Sequence, residues 1–186
     1  SEKGLAPIGS GEDEQIQKTN EKPPALNLWS VYTSLILWQI AAIYSAFGFS
    51  YIIYATFFVR HLVKEAGFTP ASAGALWMAI GFMSLISGFI WGGISDRFGR
   101  RPALVCVFML QGLSFVLFAL SNSLPALYVS SALFALTAWS IPALMAALVG
   151  DMFGSRLAPA ALGLITVVFS IGQALGPYSA GMIADA

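Results

Sequence analysis

The chain has 186 residues, 58% of them hydrophobic and 10% charged, with zero net charge. Eight of its 18 formal charges fall before residue 28. Soluble domains carry roughly 25% charged residues, so the ten charges left for residues 28–186 cannot coat a water-facing surface. A mean hydropathy of +0.78 excludes a disordered chain as well.

Residues 1–27 are rich in Gly, Ser, Pro and acidic side chains and have no apolar core, so they read as a solvated linker and not a signal peptide. Beyond them lie apolar stretches long enough for helices that cross a bilayer, about 20 residues each. The first span is expected over 28–59, the second over 71–95 and the third over 102–120. The stretch 102–150 is too long for one crossing and is broken at Ser121-Asn122-Ser123-Leu124-Pro125, which puts a fourth span over 125–149. A fifth follows over 159–183. Pro70, Pro102, Pro125 and Pro159 stand at or just before span starts, where a missing backbone N–H does no harm. Long segments without strict alternation are helices and not barrel strands. The expected fold is therefore all-α and transmembrane.

Lys and Arg set the orientation. With the tail inside, Lys3, Lys18, Lys22, Arg97, Arg100, Arg101 and Arg156 are inner, against Arg60 and Lys64 outside. The reading is a cytoplasmic N-terminal tail in a cell membrane. The missing initiator Met and the odd number of spans suggest a piece of a larger protein. One His and one mid-span Cys, with no metal-ligand or nucleophile–base spacing, leave no catalytic site, metal or cofactor to assign. Zero net charge and the lack of a basic run outside one short loop argue against nucleic acid.

The turn after the second span is the most informative segment. Ser84, Gly88 and Gly92 recur every four residues up to Asp96, a small-residue stripe that suits close helix packing in lipid. Asp96 sits at the negative end of its helix dipole and needs a compensating partner. Gly99 permits the reversal, and Arg97, Arg100 and Arg101 surround it. Asp96-Arg97-Phe98-Gly99-Arg100-Arg101 and Asp151-Met152-Phe153-Gly154-Ser155-Arg156 share the pattern Asp-x-Phe-Gly-x-Arg. Two similar latches on one face are the expectation, with chance similarity of short glycine turns as the rival.

Gly92-x-x-x-Asp96-Arg97-x-Gly99-Arg100-Arg101 resembles the signature loop of the major facilitator superfamily. Gly48-Phe49-Ser50-Tyr51 and Gly172-Gln173-Ala174-Leu175-Gly176-Pro177 resemble its bacterial YbfB/YjiJ-like permeases. The resemblance implies five helices of a six-helix half-bundle and a second half as partner. It also implies a permease that moves a small solute by alternating access in the bacterial inner membrane. The fourth span lacks the arginine that proton-coupled members carry in the first half, which together with the long charged tail favours the second half, although the well-kept loop points to the first. Gly163, Gly172, Gly176, Pro177 and Gly181 resemble the glycine–proline motif of antiporters, although Ala180 stands where that pattern has glycine. Gly172, Gly176 and Pro177 serve either as a hinge or as ordinary packing.

By the same resemblance the cavity falls on the first and fourth spans, flanked by the second and fifth. The stripe Tyr44, Phe47, Tyr51, Tyr54 and Phe58 and the polar residues of the fourth span face either a cavity or lipid and neighbouring helices. The cavity candidates are Tyr51, Tyr54, Thr137, Trp139 and Gln173. No Asp, Glu, Lys, Arg or His lies inside a span, so coupling charges, where present, belong elsewhere. The other classes are a membrane-embedded scaffold and a channel-like protein.

Overall fold

The computed structural model describes residues 28–120 and 123–184. The 1–27 linker and the Ser121–Asn122 part of the expected break lie outside the described residues. Among the described residues the fold is all-α: α1 (Leu28–Tyr32), α2 (Leu35–Lys64), α3 (Pro70–Phe98), α4 (Arg100–Leu120), α5 (Leu124–Thr137) and α6 (Ser140–Ala184).

The first expected span is divided. Ser34 is extended and its hydroxyl accepts from the Leu37 N–H, while the Thr33 hydroxyl donates to the Trp29 carbonyl at 2.9 Å. Adjacent hydroxyl residues that bond to the local backbone end one helix and cap the next. From there α2 runs 30 residues, to Lys64. Thr69 caps α3, and Pro70 follows in its first turn.

The residues Leu124–Ile183 form one apolar run of 60 residues, about 90 Å if straight and some three times the hydrocarbon thickness. Two interruptions divide it. Ala138 and Trp139 separate α5 from α6, just ahead of Pro142, whose ring conflicts with the carbonyl four residues earlier. At Gly154 the backbone leaves helical geometry, with φ 69° and ψ 165°. There the chain doubles back, because Ala138, Trp139 and Pro142 line one cavity with Phe169 and Gln173. The helix after Gly154 thus begins before the expected residue 159, and Pro159 lies inside it. The same helix continues through Pro177 to Ala184.

Among the described residues, two buried clusters hold the bundle. One gathers Leu37, Ala41 and Tyr44 of α2 with Trp91, Val107, Ile141, Val149 and Ile165. The other gathers Tyr54, Phe58 and Leu62 with Ile80, Leu127 and Phe134. The exterior is as apolar as the interior: Phe89 is 85% exposed and Met109 72%. Such a surface is satisfied by lipid tails, which makes the protein integral to the membrane. Lipid supplies no hydrophobic drive between helices, so association rests on close packing and polar contacts.

Both are present. A Cβ built on Gly172 would collide with the Ser45 carbonyl oxygen, and one on Gly176 would lie 2.7 Å from that of Phe49. The far half of α6 therefore lies backbone to backbone on α2. Between α4 and α5, the Ser114 hydroxyl donates to the Ser130 carbonyl at 2.9 Å, and the Ser130 hydroxyl donates to the Ser114 carbonyl at 2.8 Å. With the Ser130 proton so committed, the Tyr54 hydroxyl donates to Ser130 Oγ at 3.1 Å.

Candidate functional site: a charged turn cluster and an aromatic cavity

The two Asp-x-Phe-Gly-x-Arg turns share a backbone. Gly99 has φ 95° and ψ 155°, and Gly154 has φ 69° and ψ 165°. Side-chain residues rarely occupy this region, so glycine at the fourth position follows from geometry in both turns. In each, a single residue separates two helices.

One side chain joins the two turns. Arg100 donates from Nη1 to Asp96 Oδ1 at 2.6 Å and from Nε to Asp151 Oδ2 at 2.9 Å. Its Nη1 also reaches the Ser95 hydroxyl. One guanidinium thus serves both carboxylates, and it supplies the compensation Asp96 needs at its helix C-terminus. In the second turn Ser155 occupies the place of Arg100. The carboxylates are largely exposed, with Asp96 at 67% and Asp151 at 58%. Pairs of that kind contribute about 0–1 kcal/mol, enough to bias a conformation and too little to lock one. Arg97 turns outward, its guanidinium 5.6 Å from the Phe98 ring centre. Arg101 and Arg156 are exposed at the same turns.

The cavity, about 270 Å³, is lined by Tyr44, Phe47, Tyr51, Ala138, Trp139, Pro142, Phe169 and Gln173. The Tyr44 and Phe169 rings stack at 4.3 Å, and Trp139 meets Tyr51 edge-on at 6.4 Å. Trp139 is 57% exposed and forms the open wall. Such a lining presents flat apolar faces, one amide and two phenols.

Of the five cavity candidates, Tyr51, Trp139 and Gln173 are brought together here. Tyr54 and Thr137 are not. Tyr54 is 3% exposed and committed to Ser130, because its face of α2 turns toward α4 and α5. Thr137 is fully buried, with its hydroxyl between the Gln111 side-chain amide and the Leu133 carbonyl. Phe169 is a lining residue that sequence reasoning misses, although it stands four residues before Gln173 on the same helix face. Tyr44 and Phe47 belong to the aromatic stripe, which does not single them out as cavity residues.

The other small-residue stripe differs from the Gly172–Gly176 seam. A Cβ on Gly88 or Gly92 would meet nothing within 4 Å. Among the described residues none of another helix comes close to those two positions, although Ser84, Ser87 and Trp91 of the same helix are buried.

These features define a polytopic α-helical membrane protein with a solvent-side charge cluster and a cavity between its helices. A family profile described as "Uncharacterised MFS-type transporter YbfB" matches residues 17–186, and the chain belongs to this family of the major facilitator superfamily of membrane transporters. It is 27% identical to the "Major facilitator superfamily multidrug transporter mfsB" of Aspergillus fumigatus over 69% of this chain and 22% of that protein. It is 29% identical to "Multidrug resistance protein MdtG" of Escherichia fergusonii over 69% of this chain and 32% of that protein. The same values hold for MdtG of several Escherichia coli strains. The matched region therefore spans less than a third of the length of these relatives. No solved structure matches the chain.

Proposed function

We propose that the chain forms part of a permease that carries a small organic solute by alternating access, with a second helical half as its partner. The observation that carries this reading is the cavity itself: Tyr44, Tyr51, Trp139 and Phe169 form its wall and Gln173 supplies an amide. Flat apolar faces suit a solute with an aromatic or aliphatic body, and the amide suits one hydrogen-bonding group. One relative's name speaks of a multidrug transporter and the other's of multidrug resistance, and an adaptable aromatic wall is compatible with varied solutes. The Asp96–Arg100–Asp151 cluster acts as a weak tie that closes one end of the bundle and opens during the cycle. Gly172, Gly176 and Pro177 keep one wall packed while the rest moves. The bacterial inner membrane is the setting, with residues 1–27 and both glycine turns on the cytoplasmic side and a membrane-spanning region over 28–186.

Counterflow tests the reading against a channel. Proteoliposomes of the full transporter, preloaded with unlabelled ethidium, should transiently accumulate labelled ethidium above its outside concentration. A carrier with alternating access produces this overshoot and a channel does not. Simple equilibration at the rate of protein-free vesicles would refute carriage of this solute class, and fast equilibration without overshoot would favour the channel-like alternative.

A further inference from the structure

The helical interruption at Ala138–Trp139 is held from outside by a neighbouring helix. Trp91 of α3 is 6% exposed, and its indole N–H donates to the Leu136 carbonyl at 2.9 Å. Leu136 stands just before the interruption. Of the residues that follow, Ala138, Trp139 and Pro142 line one side of the cavity. The Ser140 hydroxyl donates to the Thr137 carbonyl at 2.6 Å, so the successive main-chain carbonyls of Leu136 and Thr137 are both engaged by side chains. The Ser140 contact is local, three residues along the chain, whereas the one from Trp91 comes from α3, across 45 residues of sequence.

The same helix carries the charge cluster. Asp96 lies five residues beyond Trp91 on α3, about 7.5 Å along the axis. Asp96 and the Trp91 indole thus ride on one continuous stretch of α3, so a rigid shift of that helix would displace both. Ser95, bonded to Arg100, is buried between the two points, so the link runs through packed helix and not through a free end.

We infer that Trp91 is a positioning residue whose indole N–H fixes the helix interruption, sets the place of Trp139 in the cavity and ties that wall to the charge cluster. The inference rests on the proposed carrier function for its effect on solute, but the hydrogen bond and the interruption stand without it.

The test compares two replacements at position 91 in the full transporter. Trp91→Phe removes the N–H and part of the ring. Replacement by 3-benzothienylalanine removes the N–H and keeps the shape. Amide hydrogen exchange of residues 138–141 is read by mass spectrometry, with residues 104–110 of α4 as control. Ethidium transport is measured in parallel. Loss of one hydrogen bond should speed exchange at 138–141 about fivefold in both variants and leave the control unchanged. The apparent KM should rise by a similar factor, with kcat within about twofold. Unchanged exchange at 138–141 overturns the inference, and so does wild-type behaviour of the benzothienyl variant, which would assign the effect to ring packing. Faster exchange with unaltered KM overturns the positioning role. Should the wild type fail to carry ethidium, the proposed solute class fails, while faster local exchange in both variants still supports the clamp.

Discussion

Two helices of this bundle carry small residues every fourth position, and their surroundings differ. On the far half of α6, Gly172 and Gly176 touch the carbonyl oxygens of Ser45 and Phe49, so α2 fills the groove. On α3, Gly88 and Gly92 have open space where a Cβ would stand. Spacing alone does not separate these cases. In a bilayer the gain from a small-residue groove is dispersion and close backbone approach, and it exists only where a partner is present. The α6 groove is a fixed seam within the described helices. The α3 face ends at Asp96, the residue that Arg100 holds.

The largest expected effect lies in the seam. Gly172→Val places side-chain atoms where the Ser45 backbone stands, a clash that no rotamer relieves. The expected cost is at or above the ~3 kcal/mol upper range of ordinary overpacking, seen as loss of monodisperse protein in detergent or a much lower melting temperature. Wild-type behaviour of this variant would mean that the seam is not fixed. Next comes the tie between the helices. Arg100→Gln should change thermal stability by no more than about 1 kcal/mol, since the pairs are exposed, yet slow counterflow several-fold. Asp151→Asn should share that effect, because both carboxylates meet the same guanidinium. A slow Asp96→Asn beside an unaffected Asp151→Asn would return the two turns to separate roles. The smallest effect is on the open face. Gly88→Ala and Gly92→Ala should raise stability by about 0.5–1 kcal/mol each through helix propensity. A fall in melting temperature instead would show that a close partner covers α3.

Much of the architecture is legible in the residues, for physical reasons that act locally. Apolar length marks a crossing, and Pro70 and Pro125 mark helix starts. The shared Asp-x-Phe-Gly-x-Arg pattern also carries through to matching backbone at Gly99 and Gly154. What is not legible depends on which way a helix faces. Tyr51 and Tyr54 are neighbours on the α2 stripe, yet one borders the cavity and the other donates to Ser130. That difference is fixed by how α4 and α5 pack against α2, which no spacing within α2 records. The same holds for Thr137, whose polarity suggests a solute contact but whose surroundings bury it against Gln111. The contact between Trp91 and Leu136 gives no local signal either, because an indole in an apolar span reads as one more large side chain. Arg100 is visible in the sequence as one of three arginines, but its position between two carboxylates that are far apart along the chain requires the folded turn.

The one-residue joints at Gly99 and Gly154 have a consequence for the lipid around the protein. A connection with no spare length pins four helix ends to one depth at that end of the bundle. Membranes differ in thickness by several ångströms, and helices meet such differences by tilting or by letting their ends ride up and down. Here that accommodation is available at the opposite end, where Glu65–Thr69 gives α2 and α3 a longer connection. The protein is thus moored at one leaflet and compliant at the other, and a thicker or thinner bilayer should strain its two ends unequally.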